Sequence, residues 1–136
     1  MALDVEPGNK QVVHHVIIYR QPGGAGLSTG LPGFQCNALP SGGRFVTGWV
    51  PGAKPMRLPD DIGIRLGSDD ALVMQVHYHS EVGALPTDRS KMKVWFADKP
   101  VTEHLRVVWT GTLDIDVPPG ESSTATGVCD VPSGAA

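Results

Sequence analysis

Glycine and proline decide what this chain can fold into. Its 136 residues include 17 glycines and 12 prolines. No window carries apolar residues at helical spacing without one of them interrupting it. In a helix interior glycine costs about 1 kcal/mol and proline about 3 kcal/mol relative to alanine. These residues lie between apolar stretches rather than gathered in a tail, which is the pattern of many turns joining short strands. Strand signals recur accordingly. Residues 11–19 (QVVHHVIIY) form a continuous β-branched run, preceded by Gly8-Asn9 and followed by Pro22-Gly23-Gly24. Residues 44–50 (RFVTGWV) come next, closed by Pro51-Gly52, and 62–66 make a short piece. The run 71–79 (ALVMQVHYH) is the strongest strand, with Leu72, Met74, Val76 and Tyr78 on one face and Val73, Gln75, His77 and His79 on the other. Further strands are expected at 91–96, 105–109, 113–117 and 122–128, with Pro118-Pro119-Gly120 as a turn. Between the first two strands, 21–43 reads as a glycine-rich surface loop of Ω type. Seven or eight short strands of this kind imply an all-β fold, an antiparallel β-sandwich of jelly-roll type.

Length and charge narrow the function. A chain of this size is expected to make one domain over residues 1–136, burying about 68–70% of its unfolded surface. The net charge is −3, and no run of Lys or Arg supplies the basic stripe that nucleic acid requires. No apolar stretch approaches the roughly 20 residues of a membrane span, and no signal peptide is evident. Two cysteines, Cys36 and Cys129, are too few for a disulfide scaffold.

Five histidines stand out: His14, His15, His77, His79 and His104. Four of them fall in the two strongest strands. Imidazole is the usual protein ligand for copper and zinc, whereas a packed histidine needs hydrogen-bond partners for both ring nitrogens. On spacing alone a metal site and a set of strand histidines satisfied by carbonyls and water both remain open. Adjacent residues of a regular strand point to opposite faces, so His14 and His15 can share a metal only if the strand is twisted or bulged there, or if the site lies at its edge. His104, beside Glu103 in a polar stretch expected to be a loop, reads as an ordinary surface histidine. Trp49, Trp95 and Trp109 read as core or rim aromatics. The pairs Asp60-Asp61 and Asp69-Asp70 read as solvated turns before calcium sites. Ser41, Ser80 and Ser90 lie in no nucleophile-elbow pattern.

Three phrases, in order, resemble one family. PGN-x-x-VVHHVIIY (7–19), GWVPGAKPMRLPDDIGIRLGSDDALVMQVHYHS (48–80) and DIDVPPGESSTATGVC (114–129) are similar to the N-terminal copper domain of the copper type II, ascorbate-dependent monooxygenases. Dopamine β-hydroxylase and peptidylglycine α-hydroxylating monooxygenase are familiar members. The resemblance implies that His14, His15 and His77 form one copper site, with His79 beside it in a supporting role. It also implies ascorbate as reductant and a secreted or extracytoplasmic setting. Family enzymes carry a second copper domain, whose H-x-H pair and Met handle oxygen and substrate. This chain is expected to lack that domain and the family's opening strands. By the same resemblance, Cys36 and Cys129 are expected to be free thiols, with a bond between the two as the alternative.

Three functions follow. The first is the electron-transfer half of a copper hydroxylase. The second is a non-catalytic copper-binding or structural domain. The third is a zinc hydrolase with His14, His15 and His77 as ligands and Glu81 as base. Besides copper, the expected partners are a second copper domain or another copy of the chain, paired through exposed strand edges.

Overall fold

At the N-terminus Leu3 and Val5 point inward while Asp4 and Glu6 point outward, the period-two signature of a half-buried strand. In the computed structural model, which describes residues 1–24, 42–79, 87–108 and 110–131, this segment is the first strand, β1 (Ala2–Glu6). It was not expected from the sequence. The strands that follow are β2 (Val13–Gln21), β3 (Arg44–Trp49), β4 (Met56–Arg57), β5 (Ile62–Gly63), β6 (Ala71–Tyr78), β7 (Lys91–Trp95) and β8 (Glu103–His104). A 3-10 turn at Pro22–Gly24 follows β2. The molecule is all-β, as the glycine and proline content requires.

The strands form two three-stranded sheets, ordered β4-β1-β7 and β3-β2-β6, and a small parallel pair, β5-β8. Pairing within both larger sheets is antiparallel. Leu3 and Val5 of the first sheet meet Val13, Val16, Ile18 and Val46 of the second in one buried cluster. Leu72, Met74 and Val76 pack against it from β6, and Met92 and Val94 from β7. This is the layered core of a β-sandwich, in which each sheet buries one face and leaves the other toward solvent. The β6 faces follow the expected alternation, with His77 on the outer side. Lys93 of β7 bonds Glu6 of β1 across the first sheet.

The C-terminal stretch departs from expectation. No strand forms at 105–108, 113–117 or 122–128. Leu113, Ile115, Val117 and Val128 are exposed, so the alternation is present but no neighbouring strand completes a ladder. The turn between the last two segments does form. Gly120 takes φ 79°, and the Glu121 N–H donates to the Pro118 carbonyl at 3.1 Å, as in a type II turn with proline before glycine. His104 belongs to β8 and not to a loop, because it pairs with Gly63 of β5 in the parallel pair, next to Glu103 opposite Ile62. Most of the expected 21–43 loop, with Cys36 and Ser41, lies outside the described residues, as do Ser80, Glu81, Trp109 and the last five residues.

Candidate metal centre

The site is built by an irregularity in β2. Val13 pairs with Tyr78, but His15 pairs with His77, so three residues of β2 span what two residues of β6 span. His14 is the extra residue of a β-bulge. Burial shows the same shift: Val13, Val16 and Ile18 all face the core, with spacing three and then two. Between Val13 and Val16, two consecutive side chains are therefore released to the outer face. Bulges re-aim side chains in this way and are enriched near active sites. The condition that the sequence sets for His14 and His15 to converge is met.

Three imidazoles come together on this face. The His14 Nδ1 and His15 Nδ1 lie 3.0 Å apart. The His15 and His77 rings, directly opposite in the ladder, have centroids 4.6 Å apart and stand almost perpendicular, at 87°. His14 lies 5.3 Å from His15 and 5.2 Å from His77, centroid to centroid. One nitrogen from each ring lies within 4.8 Å of one from each of the others. His79, just past the end of β6 and two residues from His77, is more distant, with its ring 6.2 Å from that of His14.

The arrangement fits a metal ion on chemical grounds. Imidazole–metal bonds are about 2.0–2.1 Å long, so two nitrogens on one ion lie at most about 4.2 Å apart. The 3.0 Å between His14 and His15 falls inside that limit. All three ring nitrogens lie within 4.8 Å of one another, close to that limit. His15 is half-buried, and its burial pushes its pKa down, with the charges of His77 and His14 acting in the same direction. A shift in that direction favours the neutral ring, whose lone pair can bind a metal. His14 and His77 are exposed, so a small solute can reach the cluster from solvent. Among the described residues the cluster contains only imidazoles.

A family model described as "Copper type II ascorbate-dependent monooxygenase, N-terminal domain" matches residues 3–84. The chain belongs to that family. The matched interval runs from within β1 through β6 and contains His14, His15, His77 and His79. The chain is also 29% identical over 142 residues to DBH-like monooxygenase protein 2 of Mus musculus, an alignment that covers 89% of this chain and 21% of that protein. The chain thus spans about a fifth of that relative's length. No solved structure matches it.

The other candidates fall outside the site. His104 is exposed and lies on the parallel strand pair. Trp49 packs against the core and Trp95 is exposed. Asp70 serves its turn. It accepts the N–H of Gly67 at 2.7 Å and of Gly23 at 3.3 Å, and it pairs with Arg20 at 3.5 Å. The Gly67 bond, above all, lowers its pKa. Ser90 accepts the Gly8 N–H through its hydroxyl. Cys129 is an exposed free thiol. Sequence reasoning overlooked Asp88, which bonds both histidine-bearing strand regions. It stands in no motif, and nothing local in the sequence marks it.

Proposed function

We propose that His14, His15 and His77 hold one copper ion and that the chain acts as the electron-transfer half of an ascorbate-dependent hydroxylase. The observation that carries this reading is the β2 bulge, which turns two neighbouring histidines to one face opposite a third. Family membership supports copper as the metal. When bound, copper supplies one-electron redox chemistry, with ascorbate as the reductant that the family's description names.

The protein's own part is positional. The β2–β6 ladder fixes His15 against His77, and the bulge leans His14 toward both. Burial favours the neutral form of His15. Three imidazole ligands suit both oxidation states of copper, and copper(II) leads the divalent first-row affinity order. The exposed outer face admits a small reductant. His79 sits beyond the three and supports them from solvent's side. A secreted or extracytoplasmic setting accords with this chemistry and with the family. Among the described residues no helix is long and apolar enough to cross a membrane.

The test is metal content and electron paramagnetic resonance of the purified, copper-loaded protein. One copper per chain should survive desalting at neutral pH, with nitrogen-rich coordination in the oxidised spectrum. Loss of the metal on desalting overturns the proposal. The same preparation, given ascorbate, oxygen and a peptidylglycine or phenethylamine substrate, is expected to show no turnover, because the described residues hold a single histidine cluster. Turnover by this chain alone would instead make it a complete hydroxylase.

A further inference from the structure

Asp88, beyond the interval matched by the family model, joins the two strand regions that carry the histidines. Its Oδ1 accepts the Asn9 N–H at 2.8 Å, in the turn that leads into β2. Its Oδ2 accepts the Tyr78 hydroxyl at 2.9 Å and the Ser90 N–H at 3.1 Å. Tyr78 lies between His77 and His79 and pairs with Val13 at the edge of the bulge. Asn9 is an anchor in turn. Its carbonyl accepts the N–H groups of Val12 and Val13 at 3.3 and 3.0 Å, and its side chain accepts that of Gln11 at 3.1 Å. The His79 N–H closes the frame on the Val12 carbonyl at 2.8 Å. One carboxylate thus grips both sides of the ladder next to the bulge.

The carboxylate is itself fixed. A Cβ at Gly8 would lie 2.5 Å from the backbone of Arg89, so the two segments approach as only glycine allows. The Gly8 N–H donates to the Ser90 hydroxyl at 3.2 Å. The Asn9 N–H, the Tyr78 hydroxyl and the Ser90 N–H all donate to Asp88, so an acceptor with two oxygens is required. An amide would turn its NH2 against one set of donors.

We propose that Asp88 is a positioning residue for the histidine cluster: by holding Asn9 and Tyr78 together it keeps β2 in the bulged register that sets His14 beside His15 and His77. Its functional meaning rests on the copper reading above, but the geometry can be tested without metal.

The experiment uses the full chain as wild type and as Asp88→Asn, Asp88→Glu, Tyr78→Phe and Asp70→Asn. The last is a control at the opposite end of β6. Imidazole nitrogen and proton resonances are recorded in the metal-free proteins. Copper(II) affinity and the paramagnetic resonance spectrum follow. Asp88→Asn should shift the His14, His15 and His77 resonances, lower copper affinity by about 10–100-fold, as loss of outer partners of ligands does, and alter the spectrum. Asp88→Glu should recover part of the affinity, Tyr78→Phe should act in the same direction more weakly, and Asp70→Asn should change nothing. A folded Asp88→Asn protein with wild-type imidazole resonances and affinity overturns the proposal. If that variant does not fold, Tyr78→Phe decides: unshifted resonances overturn the proposal and shifted ones support it. If the wild type binds no copper, the copper reading fails, and the metal-free resonances still decide the role of Asp88.

Discussion

His14 occupies the one position of β2 that the β6 ladder skips, and the site depends on that position. Val13 and His15 are both paired across the ladder, so the intervening residue turns its ring toward its neighbour and not into the core. Each of the three clustered rings holds a different kind of position: an extra residue, a central-strand residue and the residue opposite it. We expect His14→Ala, His15→Ala and His77→Ala each to remove most copper binding in calorimetric titration, since each deletes one of three nitrogens. His79→Ala should weaken binding modestly and leave the copper spectrum recognisable, because its ring stands 6.2 Å from that of His14 and outside the group of three. Abolished binding in His79→Ala with retention in His77→Ala would reverse the assignment of ligand and support. The four histidines were legible as candidates because they fall in two strong β-branched runs. That His14 and His15 converge was not legible. Strict alternation argues against it, and no glycine in HHV marks the bulge.

At the scale of the strand, β2 carries the molecule. It lies between β3 and β6, and its Val16 and Ile18 are fully buried. Ile18→Ala should cost about 2–5 kcal/mol, the usual range for emptying a buried branched side chain, read as a lowered midpoint in urea. Asp88 gives the element a pH dependence. Burial opposes its ionisation, but hydrogen bonds from Ser90, Tyr78 and Asn9 outweigh that and hold its pKa below the ordinary range. A carboxyl depressed on folding stabilises above its unfolded pKa, and that stability is lost as pH falls through the folded value. The stability gap between wild type and Asp88→Asn should therefore narrow below about pH 4, measured by thermal melts across an acid series. A constant gap would mean that the carboxylate's charge contributes nothing. The strands at 44–50, 71–79 and 91–96 could be read from their β-branched residues and closing turns. β1 could not, because ALDVE offers only two large apolar side chains and its role appears only once Leu3 and Val5 meet Val16 and Val46 in the core.

For the whole molecule, the two larger sheets enclose one core, while the described residues of 105–131 contribute no strand to either. Leu113, Ile115 and Val117 alternate with Asp114 and Asp116, and a strand was expected there on that pattern, but none forms. A strand also needs a neighbour, and neighbours cannot be read from local pattern. Those apolar side chains are left in solvent, and Val128 and Val131 are exposed with them. Meanwhile β3 and β6 form the edges of the second sheet, each with backbone groups on its outer side. Exposed alternating apolar segments and open edges both favour strand addition by another chain. The isolated protein is therefore expected to self-associate as its concentration rises, seen as an increasing weight-average mass in sedimentation equilibrium. Ile115→Lys should shift that association to higher concentration, because it places a charge at the centre of the alternating segment and touches neither the core nor the histidines. A wild-type protein that stays monomeric at every concentration, or a lysine variant that associates equally well, would show that the exposed segment is not the surface through which copies meet.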